Sequence, residues 1–432
     1  RRGWLLLAQL MIIIALIWMA STDPALGEKQ IRMMAFAVVL LAFSAATQDI
    51  SVDAWRIEAA DEKDIGILSS LYIVGYRIGM ILSGAGALFL VNRLGSSAAS
   101  YSYGAWRMSY LIMAATMLIG VLTTLKIKEP QVTKDRAKYQ TRDYLAIILI
   151  FIIAILSFIV VYKFTGIYKG GFSLWLSALF HNSILATVIV SIIQLTLAFT
   201  VAILTSVLVY RLPWTNRTMT RTIYITPVID LLQRHKTHAW LLIGIICTYR
   251  ISDIVMGVSA NLFYQYMGFN LGEIAGIVKT FGLIMTLTGG LLGGFAVVKY
   301  GVLRIMIVGA ILSAATNLLF MVMAETGKSI EFLVILISAD NLSAGLALTA
   351  FVGFLSLMVN RSFTAVQYAM FSSVMTLFPK ILGGFSGGMI EAWGYSQFFL
   401  MTTIIGIPVV LMLIYADKKQ CFRLVYADTT KK

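Results

Sequence analysis

Charge is what this sequence has little of. Only 12% of its 432 residues are Asp, Glu, Lys or Arg, against roughly 25% in soluble proteins. A soluble chain of two or three domains is excluded, because so little polar surface cannot cover a chain that is 59% hydrophobic. Cysteine is equally scarce. Cys247 lies in an apolar run and Cys421 in a polar tail, with no C-x-x-C, which excludes a disulfide framework and a cysteine metal site. The three histidines, His181, His235 and His238, all fall in predicted loops and form no H-E-x-x-H pattern, so metal catalysis has no foothold. With 6 Pro and 34 Gly the chain is neither collagen-like nor disordered.

What is present is a series of long apolar runs. A helix needs ~20 apolar residues to cross a bilayer core of ~30 Å. Twelve stretches qualify, at 3–20, 32–56, 65–91, 106–127, 144–162, 184–210, 239–263, 271–299, 302–324, 330–359, 364–391 and 396–416. They are continuous rather than alternating, which excludes barrel strands. Lipid obliges each segment to pair its own backbone, which leaves helix. The fold class predicted is an all-α polytopic membrane protein.

The net charge of +14 is scattered over short loops and forms no stripe, so nucleic acid is excluded as a partner. It reads instead as an orientation signal. One set of alternate loops, including both ends, carries 23 Lys and Arg; the opposite set carries 7. The positive-inside rule then predicts both ends in the cytoplasm.

A weak repeat runs through the chain. Tyr76-Arg77-Ile78-Gly79-Met80-Ile81-Leu82-Ser83-Gly84 matches Pro379-Lys380-Ile381-Leu382-Gly383-Gly384-Phe385-Ser386-Gly387 at an offset of 303, placing Arg77 on Lys380. Such symmetry is expected of a transporter built from two parallel repeats. Lys380 lies in the fifth of the six spans from 239 to 416, but Arg77 lies in only the third span of this chain. The expectation is that two helices precede Arg1 in the native protein, and that the spans 144–162 and 184–210 are inserted between two pseudo-symmetric halves. The divisions predicted are 1–130, a transporter half; 131–238, basic loops and two additional helices; 239–416, a six-helix half; and 417–432, a cytoplasmic tail.

Ionisable groups inside spans are costly, ~2.5–3.5 kcal/mol each on insertion scales, and mark function by default. They are Asp49, Asp53, Arg77, Arg250, Asp253, Lys279, Asp340 and Lys380. Asp49 and Asp53 are i,i+4 and share a helix face. A proton shared between two such carboxylates relieves their repulsion, which makes them the candidate proton-coupling site; the alternative is Asp53 solvated at the helix end beside Arg56. Arg250 and Asp253 are i,i+3 and can neutralise each other. Arg77 and Lys380 are candidate cations for an anionic substrate, or partners for Asp49 or Asp340. Lys279 is placed to snorkel.

The G-x-x-x-G pairs, such as Gly75/Gly79 and Gly290/Gly294, permit close helix approach. Gly384-Phe385-Ser386-Gly387-Gly388 fits G-x-S-x-G, but a hydrolase elbow needs a strand-to-helix turn, and here the motif is expected inside a membrane helix. No enzyme is predicted. The aromatic segment 163–183 is expected to be an interfacial link between the two additional helices.

At Gln48-Asp49-Ile50-Ser51-Val52-Asp53-Ala54 the chain resembles the AmpG-type muropeptide permeases of the major facilitator superfamily, whose pattern there is Q-D-I-x-x-D-A. The resemblance extends through Gly75–Met80 and resumes at Arg250-Ile251-Ser252-Asp253, Lys279-Thr280-Phe281-Gly282, Asn341 and Phe363-Thr364-Ala365-Val366-Gln367. Arg1-Arg2-Gly3 is similar to the end of that superfamily's basic loop between its second and third helices. The resemblance implies proton-driven import of anhydro-muropeptides across the bacterial inner membrane for cell-wall recycling. It implies no cofactor, a bulky anionic substrate, protons and membrane lipids as partners, and a monomer. It implies a substrate site using Gln48, Arg77, Arg250, Asp253, Asn341, Gln367 and Lys380. The acetyl-CoA transporters of the same superfamily share a similar stretch and are the competing reading.

Overall fold

A computed structural model describes residues 2–59, 64–96, 100–130 and 140–419. Every regular element among them is helical. In chain order they are α1 (Arg2–Ala20), α2 (Glu28–Ala59), α3 (Ile65–Ile81) with a π-turn Leu82–Gly86 leading into α4 (Ala87–Arg93), α5 (Tyr103–Lys126), α6 (Thr141–Phe180) and α7 (Ser183–Tyr210). There follow α8 (Arg217–Thr220), α9 (Thr226–His235), α10 (Ala239–Thr248), α11 (Ile251–Tyr266), α12 (Leu271–Glu273), a π-segment Ile274–Phe281, α13 (Gly282–Tyr300), α14 (Val302–Thr326), α15 (Ile330–Met358), α16 (Thr364–Gly383) and α17 (Ser386–Lys418). Eleven segments among the described residues are long and apolar enough to cross a membrane.

Four expectations are corrected. The link predicted at 163–183 is helix: α6 runs unbroken for 40 residues, ~60 Å at 1.5 Å per residue. Gly166, Gly170 and Gly171 do not interrupt it, because a helical Gly costs only ~1 kcal/mol and packing on the partner helix α7 offsets it. Gln194 Nε2 donates to Tyr162 O at 2.8 Å, and Leu176, Ala186 and Val190 bury together further along. What ends α6 is His181 in the left-handed region (φ 53°), after which the Asn182 side chain caps α7.

The span predicted at 239–263 is present as one candidate crossing, Ala239–Tyr266, with an internal break at Tyr249–Arg250 between α10 and α11. The spans predicted at 364–391 and 396–416 divide elsewhere, at Gly384–Phe385, so α16 has 20 residues and α17 has 33 with a bend at Gly394 (φ 77°). The G-x-S-x-G stretch therefore straddles that junction rather than lying within one helix. Ser386 is 2% exposed and donates back to Gly383 O at 2.7 Å. Finally, His235 is not a loop residue but the buried end of α9.

The chain forms two compact units. The first is Arg1–Thr133, Thr286–Ile305 and Leu348–Ala369; the second is Lys134–Met285, Met306–Ala347 and Met370–Lys432. In the first, α1 packs on α2 and α5, tied by Gln9 Nε2 to Thr124 Oγ1 at 2.9 Å and by Tyr103 OH to Ala20 O at 2.8 Å. In the second, Phe263, Phe320 and Phe399 close an aromatic core with centroids 4.8–6.0 Å apart. Asn317, fully buried, donates to Ser252 Oγ at 2.8 Å and Thr402 Oγ1 at 3.1 Å, joining α11, α14 and α17. Between apolar helices in lipid such hydrogen bonds add cohesion that lipid itself cannot.

Candidate functional site

In the first unit the sequence signature Gln48–Ala54 lies on α2. The two carboxylates share a face but not an environment. Asp49 is exposed. Asp53 is 6% exposed, and its Oδ1 is 3.4 Å from Arg56 Nη2, one turn on. The reading of Asp53 as solvated beside Arg56 is thus corrected to a buried pair. Gln48 lies between the two extremes of exposure, with its Oε1 buried.

Arg56 organises its surroundings. Nη1 donates to Ser69 Oγ at 3.3 Å and to Ser356 Oγ at 3.1 Å; Nη2 donates to Tyr368 OH at 3.1 Å. The guanidinium stands 4.9 Å from the ring centre of Tyr72 and 5.5 Å from that of Tyr368. A planar guanidinium suits this site, since it offers five donors at its edge and a face for aromatic rings. Sequence reasoning named Arg56 only as a neighbour of Asp53. The available signal was an Arg–Asp pair at i,i+3 at a span's end; the partners Ser356 and Tyr368, some 300 positions away, left none.

Gln367 is 1% exposed, and its Oε1 accepts from Asn360 N at 2.7 Å, which fastens the turn ahead of α16. Arg77 is partly buried in α3.

In the second unit the break between α10 and α11 places a pair. Tyr249, 7% exposed, directs its hydroxyl to Met306 O at 3.2 Å and Ala347 O at 3.4 Å. Arg250 Nη2 donates to Asp253 Oδ2 at 2.6 Å, and both side chains are about a quarter exposed. Asp253 lies in the first turn of α11, where the helix dipole favours an anion. Interrupted membrane helices are a recurrent way to build a transport site. Asp340 Oδ1 accepts from Thr316 Oγ1 at 3.2 Å. Asn341, the next residue on α15, donates to Ile337 O at 3.1 Å and packs on Gly282, where a Cβ would lie 3.0 Å from its Nδ2.

Lys279 lies in the π-segment and donates to Asn261 Oδ1 at 2.7 Å. Lys380 follows Pro379 in α16 and is exposed. Arg77 and Lys380 belong to different units, and their service as matched cations is a proposal. Among the described residues no group of three or more His, Cys, Asp or Glu is placed to hold a metal.

Outside the spans, burial and then the neighbouring Arg234 push His235 down to about 4. Arg234 itself pairs with Asp230 at 3.3 Å.

A solved structure with a similar fold is the proton:xylose symporter XylE of the major facilitator superfamily, bound to 6-bromo-6-deoxy-D-glucose. It matches with a TM-score of 0.59 and 13% identity, over 96% of this chain and 80% of that one. The likeness shows the fold, that of the major facilitator superfamily, and eleven helices among the described residues are long and apolar enough for a multi-pass membrane protein.

The sequence is similar to AmpG-type transporters, as its Gln48–Ala54 signature predicts. It is 26% identical over 419 residues to AmpG 4 of Rickettsia felis, covering 97% of this chain and 80% of that protein. It is 24% identical over 415 residues to the anhydromuropeptide permease of Escherichia coli K12, covering 96% of this chain and 65% of that protein. The family described as acetyl-coenzyme A transporter 1 matches residues 14–148.

Proposed function

We propose that this protein is a proton-coupled importer of anhydro-muropeptides in the bacterial inner membrane, serving cell-wall recycling. The observation that carries the reading is the carboxylate pair of the Gln48–Ala54 signature, set in a transport helix with Asp53 buried against Arg56. A carboxylate that exchanges its cation for a proton is what symport requires. Arg250, Asp253 and Asn341 supply cation, anion and amide for a bulky substrate bearing carboxylates, peptide and sugar. The similarity to the E. coli anhydromuropeptide permease supports this choice of substrate class.

The family match over residues 14–148 favours a second reading, transport of acetyl-CoA or a related bulky anion. Uptake of labelled anhydro-muropeptide and labelled acetyl-CoA into proteoliposomes decides between them. Saturable uptake of the first is expected. Saturable uptake of acetyl-CoA alone would replace this reading with the second.

A further inference from the structure

The first unit holds a cavity of about 310 Å³, walled by the end of α1, the link to α2, α2 itself and the start of α5. Met19 and Met34 supply its aliphatic wall. Tyr101, Tyr103, Trp106 and Tyr110 add four rings. Three of these rings come from one helix face, since Tyr103, Trp106 and Tyr110 fall at i, i+3 and i+7 of α5. Arg107 joins the lining and is exposed. Ligand pockets run ~300–1,000 Å³, so this one has room for a single ring-sized group rather than a whole bulky solute.

The rings are held in place. Tyr101 OH donates to Asp23 Oδ1 at 3.0 Å, and Tyr103 OH donates to Ala20 O at 2.8 Å. The ring centres of Trp106 and Tyr110 are 5.9 Å apart. Asp23 Oδ1 also accepts from Ala25 N at 3.0 Å, so the acid beside the cavity is already engaged. What is left over is donors. Among the described residues the Trp106 indole N–H, the Tyr110 hydroxyl and the Arg107 guanidinium have no hydrogen-bond or ionic partner.

These groups select a ligand. Aromatic faces take the apolar C–H face of a pyranose while their polar edges meet its hydroxyls. A guanidinium matches a carboxylate and forms charge-assisted hydrogen bonds with it. Aromatic cages also bind cations, but Arg107 in the wall opposes one here. The segments 21–32 and 92–107 belong to the loops poor in Lys and Arg, which the charge bias assigns to the side away from the cytoplasm. We propose that this cavity is a binding site for a carboxylate-bearing saccharide on the outer face, built by the first unit alone and without the Arg250–Asp253 pair. It rests on the transport reading for its place in the cycle, as the point where the sugar end of the substrate is first captured, but not for the binding itself.

Binding is tested on the full chain in phosphatidylcholine nanodiscs by ligand-observed NMR, with N-acetylmuramic acid and its neutral counterpart N-acetylglucosamine. A background of Arg250→Ala with Asp253→Ala keeps the second unit's pair out of the reading. The acid should bind about tenfold more tightly than the neutral sugar, as one charge-assisted contact gives. Arg107→Gln should abolish that preference and leave the neutral sugar's affinity unchanged, and Arg107→Lys should keep part of it. Trp106→Leu should weaken both sugars alike; if it is not recovered from membranes, the exposed Arg107 variants decide. No binding in the background, equal binding of the acid after Arg107→Gln, or tighter binding of choline than of the acid would overturn the proposal. So would loss of the acid's binding when a third of the lipid is anionic phosphatidylglycerol, since a lipid phosphate would then be the occupant.

Uptake tests the capture. In an otherwise unchanged protein Arg107→Gln should raise KM for labelled anhydro-muropeptide severalfold and leave kcat as it was. An unchanged KM would overturn the capture role. If the parent takes up neither muropeptide nor acetyl-CoA, the transport reading fails, and the sugar-acid titrations still decide the site.

Discussion

Arg56 engages Tyr368 in two ways: Nη2 donates to the phenolic oxygen at 3.1 Å, and the guanidinium carbon stands 5.5 Å from the centre of the same ring. The two contributions separate by substitution. Tyr368→Phe removes only the hydrogen bond, worth ~1.5–3 kcal/mol when one partner is charged. Tyr368→Leu also removes the ring, worth a further ~0.5–2 kcal/mol. Thermal unfolding of purified protein should rank wild type above Tyr368→Phe, and that above Tyr368→Leu. Equal Tm values for all three would mean that Tyr368 is not held as described.

The contact between α3 and α13 leaves no room for a methyl group. A Cβ on Gly294 would meet Ser70 Cβ at 2.6 Å, as well as the backbone of Gly66. Overpacking of this kind costs ~1–3 kcal/mol. Gly294→Ala should lower Tm, and Gly294→Ala combined with Ser70→Gly should recover part of the loss. By contrast, Gly79→Ala meets nothing within 4 Å and should be tolerated. A Gly294→Ala protein as stable as wild type would contradict the close approach.

Arg250 and Asp253 are each other's partners at 2.6 Å. Removing one strands the other, at a cost between the ~1 kcal/mol of an exposed pair and the ~3–5 kcal/mol of a buried one. Arg250→Ala and Asp253→Ala should each abolish uptake, while Arg250→Ala/Asp253→Ala should regain stability without regaining uptake. That split between Tm and uptake marks a site residue. Recovery of both together would mark a pair that serves folding alone.

His235 supplies a pH dependence. Its folded-state value of about 4 is depressed below the ordinary ~6.5, because burial and Arg234 penalise the charged ring. The unfolded chain binds a proton between those values and the folded one does not. The stability contributed is therefore complete above about 6.5 and is lost as pH falls towards 4. Tm should drop between pH 7 and pH 5, and His235→Gln should flatten part of that slope. An identical slope in both proteins would place the sensitivity elsewhere.

Much of the fold was legible because lipid simplifies the problem. Long apolar runs must be helices, and length counts them. The errors lie where a helix ignores punctuation or adds it. Gly170-Gly171 and two lysines did not stop α6, since packing on α7 outweighs propensity. Nothing in Thr248-Tyr249-Arg250 announced the break between α10 and α11, whose cause is tertiary: Tyr249 is drawn to carbonyls of Met306 and Ala347.

The site was legible only as types of residue. Asp53 and Arg250–Asp253 stood out as charges in apolar runs, and the i,i+3 pair at Arg250 is as spacing suggested. Thr316 beneath Asp340, and Ser356 and Tyr368 around Arg56, are ordinary residues for a membrane helix. Only the fold makes them partners.

The most direct test of the central claim is proton movement itself. Proteoliposomes holding a pH-sensitive dye, with no imposed gradient, are mixed with unlabelled anhydro-muropeptide. The expected result is lumenal acidification that saturates with substrate in wild type and is absent in Asp53→Asn. Saturable uptake of anhydro-muropeptide with no accompanying change in lumenal pH would contradict proton coupling through this site.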